Sequence, residues 1–437
     1  MQKARSAASD DDRRPTHDPY AAWRHPSYRT FLIGNFASIC GMQMQSTAVG
    51  WDIYNRTESN MALGLVGLAQ FLPVVLLWLP AGYAADRLPR KWIVMAAMVI
   101  VAASSLALTA ISLHHLDYRW IYLALATVGV ARAFQQPAKA SLLPQLVPVE
   151  QFASAVTWNT SAFHLATVLG PGLAGWLIAR TLSPVTVYLI DAASAVVFAV
   201  MLACTRTLPA PKTDAVEHDR SFVGGLTYLW SNPVIFGAIS LDMFAVLLGG
   251  AITLLPVYAE TILRTGPEGL GWLRAAPGFG ALTMALILAH LPPIRRAGQA
   301  MLWSIAGFGL ATIVFGLSQN LTLSLIMLFL TGALDNISVV IRHTLIQTQT
   351  PDELRGRVSA VNGLFIGASN ELGGFESGVV AHWFGPVFSV VSGGIGTILV
   401  VLATAAQIPQ LRRYEQSSTH KIDGEADAEP KAEPKPK

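Results

Sequence analysis

Gly82-Tyr83-Ala84-Ala85-Asp86-Arg87-Leu88-Pro89-Arg90-Lys91 decides how this chain is built. One acid and three bases sit between two apolar runs, 61–83 and 92–113. Each run is long enough to cross a bilayer as a helix, which takes roughly 20 mainly apolar residues. Strands of a membrane barrel would be shorter and would alternate in polarity, and neither run alternates. The stretch therefore predicts two membrane helices joined by a short charged loop.

The same pattern fills the middle of the chain. Of 437 residues 52% are hydrophobic and only 13% charged, against about 25% charged in soluble domains. Apolar windows predict spans at 30–53, 61–83, 92–113, 120–146, 153–178, 183–204, 233–259, 268–290, 299–318, 321–348, 357–383 and 386–408. The formal charge of +3 is scattered between these runs, and a patch of the kind that binds nucleic acid is lacking. Cys40 and Cys204 fall in or at the end of separate apolar segments, which argues against a disulfide or a metal site. The polar start lacks a short apolar core with a cleavage site, and the first span can serve as its own insertion signal. The last stretch, HKIDGEADAEPKAEPKPK, has a disordered composition.

Orientation follows from the loops. Arg24, Arg29, Arg87, Arg90, Lys91, Arg206, Lys212, Arg220, Arg295, Arg296, Arg355, Arg357, Arg412 and Arg413 fall on one side, and Arg56, Arg119, Arg180 and Arg264 on the other. Cytoplasmic loops carry the excess of Lys and Arg, so both termini are expected inside and the number of spans even.

The halves repeat. An offset of 203 residues carries Pro148, Glu150 and Asn159 onto Pro351, Glu353 and Asn362, Lys139 onto Arg342, and Gly170 and Gly175 onto Gly373 and Gly378. The expected organisation is a cytoplasmic tail at 1–28, a six-helix bundle at 29–204, a central cytoplasmic loop at 205–225, a second bundle at 226–410 and a disordered cytoplasmic tail at 411–437. Transporters built from repeats have this form.

The opening loop resembles the G-x-x-x-D-[RK]-x-G-R-[RK] loop of the major facilitator superfamily. Gly82, Asp86, Arg87, Arg90 and Lys91 keep the pattern and Pro89 replaces a glycine. A charged loop obeying the positive-inside rule is the simpler reading of the same residues. The resemblance implies that Asp86 meets the N-terminal end of span 11, near Gly356 to Ser359, and closes the cytoplasmic side. A negative charge is stabilised at a helix N-terminus. Arg132-Ala133-Phe134-Gln135-Gln136 is similar to the R-x-x-Q-G motif of proton-coupled members, and Arg132, Gln135 and Lys139 share a helical face. Gly170-Pro171-Gly172-Leu173-Ala174-Gly175 looks like part of the antiporter motif on span 5. Small residues also allow any close helix crossing. The longest resemblance, Asp335 to Arg342, Thr350 to Ser359 and Ala368 to Gly378, is to the drug:proton antiporter branch that includes the enterobactin exporter family.

These resemblances imply an all-α membrane protein with twelve transmembrane helices in two pseudo-symmetric six-helix bundles. The implied function is secondary export of small amphiphilic molecules, siderophore-like or drug-like, across the bacterial inner membrane by proton antiport. An importer or uniporter on the same fold remains open, since fold does not fix function. So does a membrane-embedded enzyme or scaffold, although no nucleotide-binding loop or nucleophile elbow is found. Expected partners are a small-molecule substrate, protons, membrane lipids and an outer-membrane export system; no nucleic acid, cofactor, metal or catalytic residue is expected.

Charges inside spans cost about 2.5–3.5 kcal/mol on insertion scales, so they should face a cavity or a partner. The interior set is Arg132, Asp191, Asp242, Arg274, Asp335, Arg342, Glu371 and Glu376. Proton-coupling candidates are, in order, Asp242, Glu376 and Asp335, with Arg132 as the modulating base. A static ion pair competes for each acid. Glu371 lies about 140° from Glu376 around its helix, so the two should not share a groove. Candidate cavity-lining residues are Asn35, Ser38, Met42 and Gln45 on span 1, Gln135 on span 4, Arg342 on span 10, and Asn362 and Ser369 on span 11.

Overall fold

A computed structural model describes residues 20–206, 222–292 and 294–415. Most of the expected tails and of the 205–225 connection lie outside the described residues. Those described are almost entirely helical, with no strand. The long segments are α1 (Pro26–Thr57), α2 (Asn60–Arg87), α3 (Arg90–Leu113), α4 (Arg119–Leu142), α5 (Phe152–Thr181) and α6 (Val185–Cys204). After a short helix at Phe222–Ser231 come α7 (Pro233–Ile262), α8 (Gly266–His290), α9 (Ala297–Leu317), α10 (Leu321–Gln349), α11 (Asp352–Phe384) and α12 (Pro386–Gln407).

Each expected span coincides with one of these segments, and local chemistry sets the ends. Ser59, Asn232 and Asn320 cap α2, α7 and α10 by accepting backbone N–H groups through their side chains. Pro386 opens α12, and Gly385 before it takes a φ of +90°, a conformation natural to glycine. α4 ends short of the expected 146 because Leu143–Gln145, with Pro144, tightens into a 3-10 turn. α7 is broken at Gly249-Gly250 and resumes through Ala251–Leu254. Among the described residues nine segments are long and apolar enough to cross a membrane. α1, α4 and α11 fall outside that set, and they carry Asp52, Arg132 and Glu371.

The packing repeats. In the first half α1 lies on α5 and α6, α2 on α4, and α3 on α4 and α6. Raising each number by six gives the pairs of the second half: α7 on α11 and α12, α8 on α10, and α9 on α10 and α12. The halves meet through α2 against α11 and α5 against α8, which the same operation exchanges. Three apolar cores result. At the end with the basic loops each half has its own, one around Phe31, Met98 and Phe198 and the other around Ile235, Met301 and Val358. At the opposite end one core is shared, with Ile53, Leu63, Leu125 and Tyr188 from the first half and Leu255, Tyr258, Leu270 and Phe315 from the second.

Candidate functional site: a charged cavity between the halves

Away from the basic loops the seam closes by backbone contact. A Cβ added to Gly64 would lie 3.1 Å from Gly378 Cα and 3.1 Å from the Phe375 carbonyl oxygen. One added to Gly175 would lie 2.5 Å from the Pro267 oxygen and 2.7 Å from Gly271 Cα. Polar bonds cross here too. Asn60 Nδ2 donates to the Ala381 oxygen at 3.0 Å, and Trp51 Nε1 to Glu260 Oε1 at 3.1 Å. Arg274 Nη1 and Nη2 donate to the Ser46 main-chain oxygen at 2.6 Å and to Ser46 Oγ at 3.0 Å. Towards the basic end the same helices part: an added Cβ at Gly82 of α2, or at Gly356, Gly363 or Gly367 of α11, would meet nothing within 4 Å.

Beneath the closed end lies a cavity of about 440 Å³, within the range of small-molecule sites. The first half lines it with Met42, Gln43 and Ser46 of α1, Gly67 and Gln70 of α2, and Arg132 of α4. The second half contributes Gly249, Gly250 and Thr253 of α7, Arg274 of α8, Thr331 and Asp335 of α10, and Asn370 and Glu371 of α11. Two guanidinium groups and two carboxyl groups thus face one space among apolar and small polar side chains. Among the described residues no ion pair within 4.0 Å joins these four. The acids are free to take a proton or a donor group of a ligand, and Arg132 offers a cation to an anionic one.

Of the residues named in the sequence as coupling or cavity-lining candidates, Asp335, Arg132 and Met42 line this cavity. Asp242 lies in the second half, ion-paired with Arg342 and accepting from Ser338 Oγ at 3.3 Å. Glu376 is half-buried and outside the lining. Gln45 points into the first half, donating to Ser105 Oγ at 2.9 Å, which donates to Asp191 at 2.6 Å. Asn35 donates to Asn159 at 2.8 Å, and Ser38 and Gln135 both contact Met98 Sδ. Buried Asn362 and Ser369 lie outside the lining, and Ser369 donates to the Ile366 oxygen. The polar stripe on α1 was legible by period, but its facing was not: Gln43 and Ser46, one and four positions from Met42, share the cavity with it. Gln70, Arg274, Asn370 and Glu371 were missed as lining. For Arg274 and Glu371 the signal was present, an ionisable group inside a span.

In the basic loop Arg87 stacks over the Tyr83 ring at 4.1 Å. Arg90 donates to the Ser141 oxygen at 3.0 Å, and Lys91 to the Ala203 and Thr205 oxygens at 2.8 Å. These bonds tie the start of α3 to the ends of α4 and α6 in the same half. The side chain of Asp86 lies outside the described residues. Gly170 packs on α1, where a Cβ would meet Gln43 Cβ at 2.6 Å, and the Pro171 oxygen faces Gly271 on α8.

Two repeated bundles around a cavity open at one end define a multi-pass membrane transporter of the major facilitator fold. The chain belongs to the family described as "transmembrane secretion effector", whose profile matches residues 17–432. It is 27% identical over 402 residues to the enterobactin exporter of Shigella boydii serotype 18, covering 90% of this chain and 94% of that one. Among solved structures it is similar to a bacterial homolog of the human lysosomal transporter Spinster in an inward-facing and occupied conformation. There the TM-score is 0.70 at 14% identity, over 92% of this chain and 100% of that one. A D-xylose-proton symporter gives a TM-score of 0.67 at 15% identity, over 90% and 99%.

Proposed function

We propose that this protein exports a small amphiphilic molecule, siderophore-like or drug-like, across the bacterial inner membrane by proton antiport with alternating access. The cavity carries the reading: ligand-sized, shared between the halves, closed at one end, and holding two carboxyl groups without an ion-pair partner. The basic end is cytoplasmic by the positive-inside rule, so both termini lie inside and the conformation faces inward. Similarity to enterobactin exporters supports export and a siderophore-like cargo.

Antiport requires that proton and cargo exclude each other. An acid facing the cavity can achieve this directly, because a cationic or hydrogen-bond-donating group of the cargo needs the ionised carboxylate that the proton removes. Asp335 is the coupling acid in this proposal and Arg132 its modulating base. Asp242 and Arg342 are outside the cavity lining, and both act on Asp335 electrostatically. Asp242 has its own cation in Arg342. Glu376 takes no part. The cytoplasmic gate forms in the opposite conformation, when Asp86 reaches the start of α11. Lipids surround the apolar faces, and an outer-membrane export system carries the cargo onward.

The test is uptake of a catechol siderophore or a lipophilic drug into inside-out vesicles with an imposed pH gradient. Export by antiport predicts accumulation that a protonophore abolishes and that Asp335→Asn reduces at least about tenfold, a loss of about 1.4 kcal/mol of coupling. Accumulation indifferent to the gradient would exclude proton antiport.

A further inference from the structure

We infer that Arg274 is a partner-exchanging residue, held by Ser46 of the other half when the outer end is closed and by Glu371 of its own half when that end opens. The inference rests on the alternating-access reading above. Arg274 belongs to α8, and both of its hydrogen-bonded nitrogens reach across the seam to α1, one to a carbonyl and one to a hydroxyl. Those acceptors are neutral. Glu371, on α11 of Arg274's own half, faces the same cavity, and the two groups act on each other electrostatically. Its carboxyl rests on the other half: Oε2 would lie 3.2 Å from a Cβ on Gly67, and its main-chain oxygen 2.9 Å.

Opening the outer end separates Ser46 and Gly67 from the second half. The guanidinium then loses both acceptors. A charged donor left unsatisfied in a span is costly, so it takes the carboxylate of its own half. Opening therefore pairs Arg274 with ionised Glu371, and protonating Glu371 returns Arg274 to Ser46 and closes the outer end. By linkage, the state that binds the proton more tightly is favoured as pH falls, so low pH favours outer closure. An antiporter needs this order: a proton taken from outside turns the protein inward. The charged groups facing Glu371 are Arg132 from α4, Arg274 from α8 and Asp335 from α10. The lining residues of α2 and α7 are uncharged.

The experiment places spin labels at Thr181→Cys and Glu268→Cys, exposed outer ends of α5 and α8, in full-length protein with Cys40→Ser and Cys204→Ser, reconstituted in liposomes. Pulsed dipolar spectra at about pH 6 and pH 8 should show the long-distance population rising about three- to tenfold with pH, within the limit of tenfold per pH unit for one proton. Glu371→Gln should hold the short distance at both pH values. Arg274→Ala should remove the pH response, while Arg274→Lys keeps part of it. Ser46→Ala, which spares both charged residues, should raise the long-distance population at pH 6. A pH response that persists in Glu371→Gln, or a Ser46→Ala protein indistinguishable from the parent, overturns this inference alone. A distance that never moves, at either pH or under an imposed gradient, overturns it together with alternating access.

Discussion

The two ends of α2 and α11 make a controlled comparison, because the same two helices are packed at one end and apart at the other. Near the closed end Gly64 and Gly378 bring backbones together, and Gly67 leaves room for Glu371. About three to six turns along, Gly82, Gly356, Gly363 and Gly367 face open space. Propensity does not explain the second group, since an unpacked glycine in a helix is about 1 kcal/mol worse than alanine. Glycine at both ends is instead what the two alternating closures proposed above would require. The shared apolar core lies at the closed end, and the separate cores of the two halves lie at the open one.

Substitution at the closed end should have the largest effect. Gly175→Val would drive a branched side chain into the Pro267 and Gly271 backbone, and overpacking of this kind costs about 1–3 kcal/mol or more. Only the closed conformation bears that cost. The outer-end distance between labels should lengthen, and export into inside-out vesicles should fall at least about tenfold. Unchanged export by Gly175→Val would mean that this contact is not a gate.

The opposite end should respond with opposite sign. A Cβ added at Gly363 would meet nothing within 4 Å in this conformation, so Gly363→Val should leave this conformation intact and burden only the state in which the basic ends meet. The outer-end distance should shorten and alkylation of a cysteine placed in the basic-end vestibule should accelerate, with the balance moved about fivefold for each 1 kcal/mol. If Gly363→Val and Gly175→Val move the distance in the same direction, the two-gate comparison fails.

The comparison also separates acids that switch from acids that hold. Asp242 and Arg342 are buried against each other within one half, and motion between halves need not disturb them. Removing one partner of a buried pair costs about 3–5 kcal/mol, so Arg342→Ala should lower the thermal midpoint in detergent. Glu371→Gln removes no ion pair within 4.0 Å in this conformation and should leave the midpoint within the spread usual for mild substitutions, about 0.5 kcal/mol. Arg342→Ala protein of parental stability would show that Asp242 does not need its cation.

Apolar runs, basic loops and the 203-residue repeat made the helices and their pairing by six legible in the sequence. Rotation about each helix axis was not. Period fixes which residues share a stripe, but which way the stripe faces is set by packing against neighbours. Gln45 turned inward because Ser105 accepts its bond and in turn donates to Asp191, and both lie far away in the chain. The same limit decided between Glu371 and Glu376. Their relative angle predicted that only one would face the groove, and the choice fell to the contact of α11 with Gly67, which no local pattern encodes.

The smallest effect expected is at the rim of the closed end. Trp51→Phe keeps an aromatic ring against the shared core and removes the donor to Glu260 with the smaller ring that carries it. A partly exposed hydrogen bond to a charged acceptor contributes about 1.5 kcal/mol or less. The bond crosses the seam and exists only while the outer end is closed, so its loss should appear as a shift between conformations. The long-distance population should rise by no more than about tenfold, with the thermal midpoint nearly unchanged. A lowered midpoint with an unmoved distance would instead make Trp51 a brace within the fold, leaving the glycine contacts and the Arg274–Ser46 bond to hold the outer end.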